Sequence, residues 1–282
     1  MEDKRSVASF FIIWYNQSGD NMEVKDKKII VTGAASGVGK ELTRILLDKG
    51  AYVYGLDINP DNLKNLEKEL NNDKLQTFQV DISKKEALEN FKKSLKDKNI
   101  DILINNAGII QPFVNVKDLD DKVIERVMNV NFYGPLNLTR LFLNELIANP
   151  NGGYIVNVSS MGGFFPFPGQ SIYSASKAAV KMFTEGLYSE LSDTSVRVMV
   201  VMPGAMNTNI TKNSNVDMGN ADASSSKMKM LSAEEAASKI IKGIEKNKFK
   251  LFLGSDAKFM KFIYKLNSEA AINFINKKMK NM

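Results

Sequence analysis

The sequence predicts an α/β fold, a doubly wound parallel sheet of about seven strands with helices on both faces. Short apolar runs that suit buried strands alternate with helical periodicity along most of the chain. Glycine-rich or polar turns follow several of these runs, at the carboxyl ends of the strands, where such sheets bind their ligands. A chain of 282 residues with 44% apolar residues can form this fold as a single domain.

The composition restricts the possible chemistry, because the chain contains no histidine and no cysteine. Ser-His-Asp and Cys-His catalysis, disulfides and the usual zinc sites are therefore excluded, and no metal is expected. Proton transfer must come from tyrosine, lysine, aspartate or glutamate.

The first predicted strand, residues 27–32, leads directly into a glycine-rich turn and a helix over 40–49. Gly33 permits a tight turn, Gly37 lets the backbone approach a phosphate, and Gly39 lets the helix pack closely. The free N–H groups of the helix N-terminus favour an anion. The candidate contacts with a dinucleotide here are Gly33, Ser36, Gly37, Val38 and Gly39.

The second strand, 51–56, ends at Asp57, and the third, 76–80, is followed by Asp81 and Ile82. A carboxylate at the tip of the second strand accepts hydrogen bonds from ribose hydroxyls and repels a 2′-phosphate. Residues 34–38 include no Arg or Lys to hold such a phosphate. NAD is therefore expected rather than NADP. Asp81 and Ile82 would lie near adenine, although Asp81 could also be a plain helix N-cap.

The fourth strand, 100–104, ends in a small polar turn at 105–108, and helical periodicity then runs from 119 to 148. Asn105, Ala107 and Gly108 could let a cofactor pass close to the backbone. Asn131 lies in the middle of the long helix, where an amide competes with the backbone for hydrogen bonds. It is either a satisfied core amide or a functional residue.

Residues 154–177 combine a strand (154–158), two serines, an aromatic loop and the start of a helix. Tyr173 and Lys177 are four residues apart and so share a helix face. A lysine cation beside a phenol would lower the phenol's pKa towards neutrality. Ser160 could hydrogen-bond the same reacting oxygen as Tyr173, with Ser159 as its competitor. The alternative is an ordinary surface pair of Tyr173 and Lys177.

The sixth strand, 196–201, precedes a turn that contains Pro203, Gly204 and Thr208. Residues 209–230 are polar and weakly patterned, which is typical of a mobile loop and suits a lid over a cleft. Ser232 and Glu235 form a capping box for the next helix, and the last strand covers 249–253.

The two ends of the chain are expected to lie outside the core domain of residues 23–254. Residues 1–22 are interpreted as a loosely ordered extension rather than a signal peptide, since no small-residue cleavage site follows their apolar stretch. Met22 could even be the working start.

Residues 255–282 are predicted to form a basic amphipathic helical tail. Residues 239–282 hold 11 lysines against three acids, a balance of +8. The tail could pack on its own domain or a partner subunit, cover the substrate mouth, or lie on an anionic membrane, in that order of preference. A lysine-rich terminus on a slightly acidic body does not suggest nucleic-acid binding.

These motifs together resemble the short-chain dehydrogenase/reductase (SDR) family over residues 26–254. The likeness rests on the Thr-Gly-x3-Gly-x-Gly loop at 32–39, Asn-Asn-Ala-Gly at 105–108, Asn131, Ser160, Tyr-x3-Lys at 173–177 and Pro-Gly-x3-Thr at 203–208. It implies a Rossmann-type fold with Tyr173 as general acid/base and Ser160 positioning the substrate oxygen. Lys177 would bind the nicotinamide ribose, Asn131 would support a water-linked proton path, and Pro203, Gly204 and Thr208 would hold the nicotinamide.

The resemblance implies an NAD(H)-dependent oxidoreductase that interconverts a secondary alcohol and a ketone. The aromatic loop at 163–168 favours an apolar substrate. A 3-oxoacyl carrier-protein reductase and a non-catalytic NAD-binding sensor or scaffold are the alternatives. A cytoplasmic homodimer or homotetramer is expected, assembled through the helices at 119–148 and 171–191.

Overall fold

A seven-stranded parallel sheet forms the centre of the molecule. The structure is a computed structural model that describes residues 22–206, 210, 214, 216 and 230–280. The strand order is β3-β2-β1-β4-β5-β6-β7, and every neighbouring pair is parallel. The strands are β1 (Lys28–Thr32), β2 (Tyr52–Asp57), β3 (Leu75–Gln79), β4 (Ile102–Asn105), β5 (Tyr154–Val158), β6 (Arg197–Pro203) and β7 (Lys250–Leu253).

Nine α-helices are present in the described part of the chain. They are α1 (Gly37–Asp48), α2 (Pro60–Leu70), α3 (Lys85–Ser94), α4 (Asp121–Met128), α5 (Gly134–Ala148), α6 (Ser171–Glu190), α7 (Ala233–Glu245), α8 (Ser255–Leu266) and α9 (Ser268–Lys280). The predicted doubly wound fold is confirmed, and its strand order reverses between β1 and β4. This reversal opens a crevice at the carboxyl ends of the strands.

The two faces of the sheet carry separate apolar cores. In β1, Ile29 and Val31 pack with residues of α1 and α7, whereas Ile30 packs with residues of α3, α5 and α6. All three side chains are fully buried. Both faces of β1 are covered, which is why its residues 29–31 are continuously apolar rather than alternating.

The helix predicted over 119–148 is interrupted. The α-helical hydrogen-bond pattern of α4 ends at Met128, a π-helical segment covers Asn129–Tyr133, and α5 begins at Gly134. The extra residue of a π turn re-aims the side chains within it, and Asn131 is the buried member of this segment. The sequence periodicity did not reveal this interruption, because apolar positions continue through it.

The ends of the chain are only partly described. The predicted extension, apart from Met22, and most of the predicted lid at 209–230 lie outside the described residues. The tail forms α8 and α9, a hairpin whose Ala257, Met260 and Ala271 pack against Met161 and Phe165 of the loop after β5. None of the helices in the described ranges has the length and apolar content needed to span a bilayer.

Candidate active site

A glycine turn joins β1 to α1 and leaves room for a ligand. Gly33 has a φ angle of +65° and Gly37 one of +51°, both in the left-handed region that glycine tolerates. A Cβ atom at Gly39 would lie 1.9 Å from the carbonyl oxygen of Gly33. The turn can therefore keep this shape only with glycine at these positions, and it points the first turn of α1 at the crevice.

Asp57 at the end of β2 braces this glycine turn. Its carboxylate accepts hydrogen bonds from the backbone N–H of Ala35 at 3.1 Å and of Asn59 at 3.0 Å. Asp57 also lines the cleft, so one carboxylate both fixes the turn and faces a ligand. Asp81 lines the cleft further along and accepts from the N–H and hydroxyl of Ser83. It therefore shapes the turn before α3, whose N-cap residue is Lys84.

The turn after β4 is tied to the end of β1. The Thr32 hydroxyl accepts the backbone N–H groups of Asn106 and Ala107, both at 3.0 Å, and the Asn106 amide donates to the Thr32 carbonyl. A Cβ atom at Gly108 would lie 2.9 Å from Nζ of Lys177 and 3.3 Å from Oδ1 of Asn131. The absence of a side chain at Gly108 thus brings the lysine next to the cleft.

Asn105 does not line this cleft, contrary to the sequence prediction. Its side chain is buried and donates to Oδ1 of Asn157 at 2.7 Å and to Thr139 at 3.3 Å. As the last residue of β4, Asn105 points into a face of the sheet, and its neighbour Asn106 lines the cleft instead. Gly39 likewise lies beneath the glycine turn rather than on the cleft surface.

Tyr173 and Ser160 meet at the cleft. Tyr173 is in the first turn of α6, and Ser160 follows β5. Enclosure by protein atoms raises the pKa of the Tyr173 phenol, and its hydrogen bond with Ser160 partly offsets this rise. The phenol therefore holds its proton at neutral pH. This direction is opposite to the one expected from Tyr-Lys spacing alone, because burial disfavours the charged phenolate and is the largest cause of the shift in pKa.

Ser159 and Ser160 have different partners. Ser159 is buried, and its hydroxyl donates to the carbonyl of Lys177 at 2.7 Å. The Ser160 hydroxyl accepts the N–H of Gly162 and also contacts the phenol. Geometry thus favours Ser160 as the serine that can reach a substrate oxygen.

Lys177 is a buried cation one helical turn after Tyr173. Its Nζ donates to the carbonyl of Val158 at 3.0 Å. Burial lowers the pKa of Lys177 to about 8, because the charged form loses hydration. At neutral pH the ammonium is still mainly protonated, so a positive charge lies beside Gly108 at the inner wall of the cleft.

Asn131 links three elements of the site. Its Oδ1 accepts the N–H of Ile109, and its Nδ2 donates to the Ile109 carbonyl and to the hydroxyl of Ser176. Ser176 in turn donates to the carbonyl of Tyr173. The buried amide is therefore satisfied, and it holds the turn after β4 against α6.

Gln111 also positions Tyr173, and the sequence analysis missed it. This side chain is fully buried. Its Oε1 accepts the backbone N–H groups of Ile172 and Tyr173, both at 2.9 Å, and its Nε2 donates to the carbonyl of Gly169. It caps the N-terminus of α6 from a distant loop, and no local sequence pattern indicates such a long-range cap.

One cleft of about 670 Å³ collects most of the predicted site. Of the predicted residues, it is lined by Gly33, Ser36, Gly37, Val38, Asp57, Asp81, Ile82, Ala107, Gly108, Ser160, Tyr173, Lys177, Pro203 and Gly204. Thr208 lies outside the described residues. Asn106, which belongs to the predicted turn at 105–108, also lines the cleft. So do Ile109, Ile110, Met206 and Ile210, which the sequence analysis did not single out.

The aromatic loop after Ser160 packs away from the cleft. Phe165 is fully buried and contacts Phe167 and Tyr264, with ring centroids 5.4 and 5.6 Å apart. Phe164 contacts Phe252 of β7. None of these rings lines the cleft. These rings seat the α8–α9 hairpin, so they do not support the apolar substrate predicted from this loop.

Comparison with known proteins agrees with this geometry. The family model for short chain dehydrogenase matches residues 27–219. A 3-oxoacyl-(acyl-carrier-protein) reductase of Thermotoga maritima is 35% identical over 195 residues, 68% of this chain and 78% of that protein. A 3beta-hydroxysteroid dehydrogenase 2 of Eggerthella lenta is 32% identical over 203 residues, 69% of this chain and 76% of that protein.

Among solved structures, a short chain dehydrogenase from Burkholderia cenocepacia in complex with NADP is similar, with a TM-score of 0.76 and 27% identity. The match covers 90% of this chain and 99% of that chain. The fold and site define a dinucleotide-binding α/β oxidoreductase. More specifically, the chain belongs to the short-chain dehydrogenase/reductase family.

Proposed function

We propose that this protein is an NAD(H)-dependent oxidoreductase that interconverts an apolar secondary alcohol and its ketone. The observation that carries the proposal is the meeting of Ser160, Tyr173 and Lys177 in the cleft that begins at the glycine turn. A proton donor, a hydroxyl that can hold the substrate oxygen and a cation lie there together. These three groups are the ones that proton transfer to or from a substrate oxygen requires.

A dinucleotide fits the residues that line the cleft. Gly33 and Gly37 leave the turn open for a pyrophosphate at the N-terminus of α1, whose first turn contains no acidic residue. Asp57 would accept the adenosine ribose hydroxyls, and Asp81 with Ile82 would flank the adenine. Pro203 and Gly204 line the cleft and would hold the nicotinamide end, with Thr208 assigned the same role. When bound, the cofactor supplies or takes up the hydride.

The residues of this chain control the proton and the orientation of the substrate. In the reducing direction the neutral Tyr173 phenol donates its proton to the substrate oxygen, which Ser160 holds by a hydrogen bond. The Lys177 ammonium stabilises the negative charge that forms on the phenol. In the oxidising direction the same tyrosine accepts the hydroxyl proton. Asn131 keeps the turn after β4 in place, and a water-linked proton path past it is part of the proposal.

Asp57 supports NAD over NADP. Its carboxylate is fixed by two backbone N–H groups, so it cannot easily turn away from a ligand. A 2′-phosphate beside it would be repelled. The similar Burkholderia structure contains NADP, but that observation concerns the other protein and does not set the cofactor of this chain.

An apolar substrate is supported by the cleft and not by the aromatic loop. Ile110, Met206 and Ile210 line the cleft together with Tyr173. Such side chains favour an uncharged carbon skeleton over a charged sugar.

The test is a parallel assay of NADH and NADPH oxidation with a panel of apolar ketones, monitored by absorbance. We expect turnover with NADH and its loss, by at least about a hundredfold, in Tyr173→Phe, because phenylalanine has no proton to donate. Tyr188→Phe is the matched control. Tyr188 is on the same helix but stacks on Phe249, away from the cleft.

Two results would contradict the proposal. Turnover that persists in Tyr173→Phe would remove the tyrosine from its role. Failure to bind either cofactor in a fluorescence titration would contradict the assignment of the glycine turn. A preference for NADPH would overturn the choice of NAD(H) and the role of Asp57, and it would leave the proton-transfer roles in place.

A second candidate function is reduction of a 3-oxoacyl group on a carrier protein. The similarity to the Thermotoga maritima reductase favours it. An acetoacetyl carrier protein and the free acetoacetyl thioester would be compared as substrates. A much higher kcat/KM for the carrier-bound form would establish this function, and equal values would exclude carrier recognition.

We further propose that the enzyme acts in the cytoplasm as a homodimer or homotetramer. The exposed apolar residues Ile147 on α5 and Met182 on α6 support assembly through these two helices.

A further inference from the structure

The outer face of the α8–α9 hairpin exposes large apolar side chains. Phe259, Phe262 and Leu266 are 54%, 62% and 70% exposed, and Phe274 on α9 is 54% exposed. The spacing of the first three follows one stripe of α8. The inner face of the same hairpin is already used, since Ala257, Met260 and Ala271 pack on the loop after β5. The outer stripe is therefore not part of the core.

Lysines line the groove next to this stripe. A groove of about 480 Å³ between β7 and α8 is lined by Leu251, Phe252 and Phe262 and by Lys248, Lys250, Lys258, Lys261 and Lys265. Lys250 forms an ion pair with Glu185, and Lys261 lies 4.0 Å from the centroid of the Phe252 ring. No ion pair links Lys248, Lys258, Lys261 or Lys265 to another residue in the described ranges.

The acidic residue of α8 does not neutralise this surface. Asp256 is in the first turn of the helix, and its carboxylate accepts the N–H of Ala205 at 2.6 Å, at the turn after β6. The surface of the hairpin and β7 is thus both strongly positive and aromatic. A partner must supply negative charge and accept phenylalanine rings at the same time.

A second copy of this chain does not fit these requirements. A two-fold contact through the groove would bring its lysines against the same lysines of the other copy, which is destabilising. An acidic protein would match the charge, but it would also need a surface of complementary shape for the stripe of Phe259, Phe262 and Leu266. A bilayer with anionic headgroups matches both, because lysines bind the headgroups while phenylalanine and leucine enter the acyl boundary.

We propose that the outer face of α8, with the adjoining groove, docks this protein on an anionic lipid bilayer. The helix lies in the plane of the membrane surface and does not cross it. This docking requires no turnover, so its test is independent of the proposed enzyme activity.

The test is co-sedimentation of the full chain with vesicles of phosphatidylcholine alone or with added phosphatidylglycerol. We expect binding only to the anionic vesicles and release at high salt. Lys258→Gln/Lys261→Gln/Lys265→Gln should weaken the binding on the order of a hundredfold. The matched control, Lys64→Gln/Lys68→Gln/Lys93→Gln, makes the same change in net charge at exposed lysines of α2 and α3 and should bind like the unchanged protein.

The phenylalanines are tested separately with Phe259→Ser/Phe262→Ser, which should reduce binding while the lysines remain. Circular dichroism verifies that each variant is folded. Equal binding to both kinds of vesicle, no binding at low salt, or no loss in the α8 lysine variant would overturn the proposal. Binding to an acidic carrier protein with no binding to vesicles would assign the surface to a protein partner instead.

Discussion

Tyr173 is fixed by contacts of its backbone as well as of its hydroxyl. Gln111 accepts the N–H groups of Ile172 and Tyr173 and donates to the carbonyl of Gly169. Asn131 reaches the carbonyl of Tyr173 through Ser176. The position of the phenol thus depends on two buried amides in other parts of the chain. A displacement of about 1 Å at a reacting group can cost on the order of a hundredfold in rate.

Gln111→Met should therefore lower kcat more than it raises the KM for cofactor. Methionine has a similar size but leaves two N–H groups of α6 without an acceptor, which also lowers the free energy of unfolding by about 1–3 kcal/mol. Steady-state kinetics and urea unfolding measure the two effects.

Gln111→Glu is the matched control for this positioning residue. It keeps an acceptor for the N–H groups of Ile172 and Tyr173 at a helix N-terminus, where a negative charge is favoured. It also loses the donor to the Gly169 carbonyl and buries a carboxylate, so its activity should lie between those of Gln111→Met and the unchanged protein. Equal losses of kcat in Gln111→Met and Gln111→Glu would argue against positioning through the N–H groups.

Lys177 makes stability depend on pH in a defined window. Its pKa is about 8 in the folded protein against 10.5 ordinarily. Below pH 8 both states are protonated, and the cost of burying the charge is fully present. Between pH 8 and 10.5 the folded state loses its proton first, so this cost disappears and the contribution of Lys177 to the free energy of unfolding rises.

Lys177→Met should therefore be more stable than the unchanged protein at pH 7, by roughly 3 kcal/mol, and lose this advantage as the pH approaches 10. Urea unfolding at several pH values measures the difference, and Lys181→Met on the same helix is the control. Lys181 is only partly buried and pairs with Glu185. A difference that stays constant with pH would contradict the assigned pKa.

At the scale of elements, the α8–α9 hairpin is fastened to the site at two places. Its inner face packs on Met161 and Phe165, just after Ser160. Its first turn holds the turn after β6, because Asp256 accepts the N–H of Ala205. A Cβ atom at Gly204 or Gly254 would overlap the Asp256 carboxylate, so this contact needs glycine on both sides.

Asp256→Leu should raise the dissociation constant for NADH several-fold, since the turn that contains Pro203 and Gly204 loses its anchor. Asp256→Asn keeps an acceptor oxygen, so its dissociation constant for NADH should be close to that of the unchanged protein. Fluorescence titration of NADH measures both. The exposed Asp193→Leu serves as a control for the loss of an acid, and an effect as large as that of Asp256→Leu would contradict the anchoring role.

The elements also separate what the sequence could predict from what it could not. All seven strands and the order of turns followed from apolar runs bounded by glycine and polar residues, because these signals are local. The π segment at Asn129–Tyr133 and the cap from Gln111 did not follow, since both depend on contacts between distant parts of the chain. The same reason explains two wrong predictions. The side chain of Asn105 points away from the cleft because of where β4 ends, and the aromatic loop packs against the tail rather than in the cleft.

At the scale of the whole molecule, exposed apolar residues on the proposed contact helices lead to a prediction about assembly. Met182 is 61% exposed on α6, on a helix proposed to form the subunit contact. We expect a dimer or tetramer by light scattering, and a smaller species for Met182→Glu, because a buried unpaired carboxylate destabilises an interface. Met182→Leu should keep the assembly. An unchanged mass in Met182→Glu would place the contact elsewhere.

The buried amides at the centre of the sheet have a consequence for folding. Asn105 of β4 lies opposite Asn157 of β5, and Asn157 donates to the hydroxyl of Thr184 on α6. If β4 slipped by one residue against β5, its side chains would change faces and both amides would be buried without these partners. The strands of a parallel sheet are joined only through long crossovers, which do not fix their alignment. This pair of asparagines destabilises a shifted alignment and so selects the native register of β4 and β5.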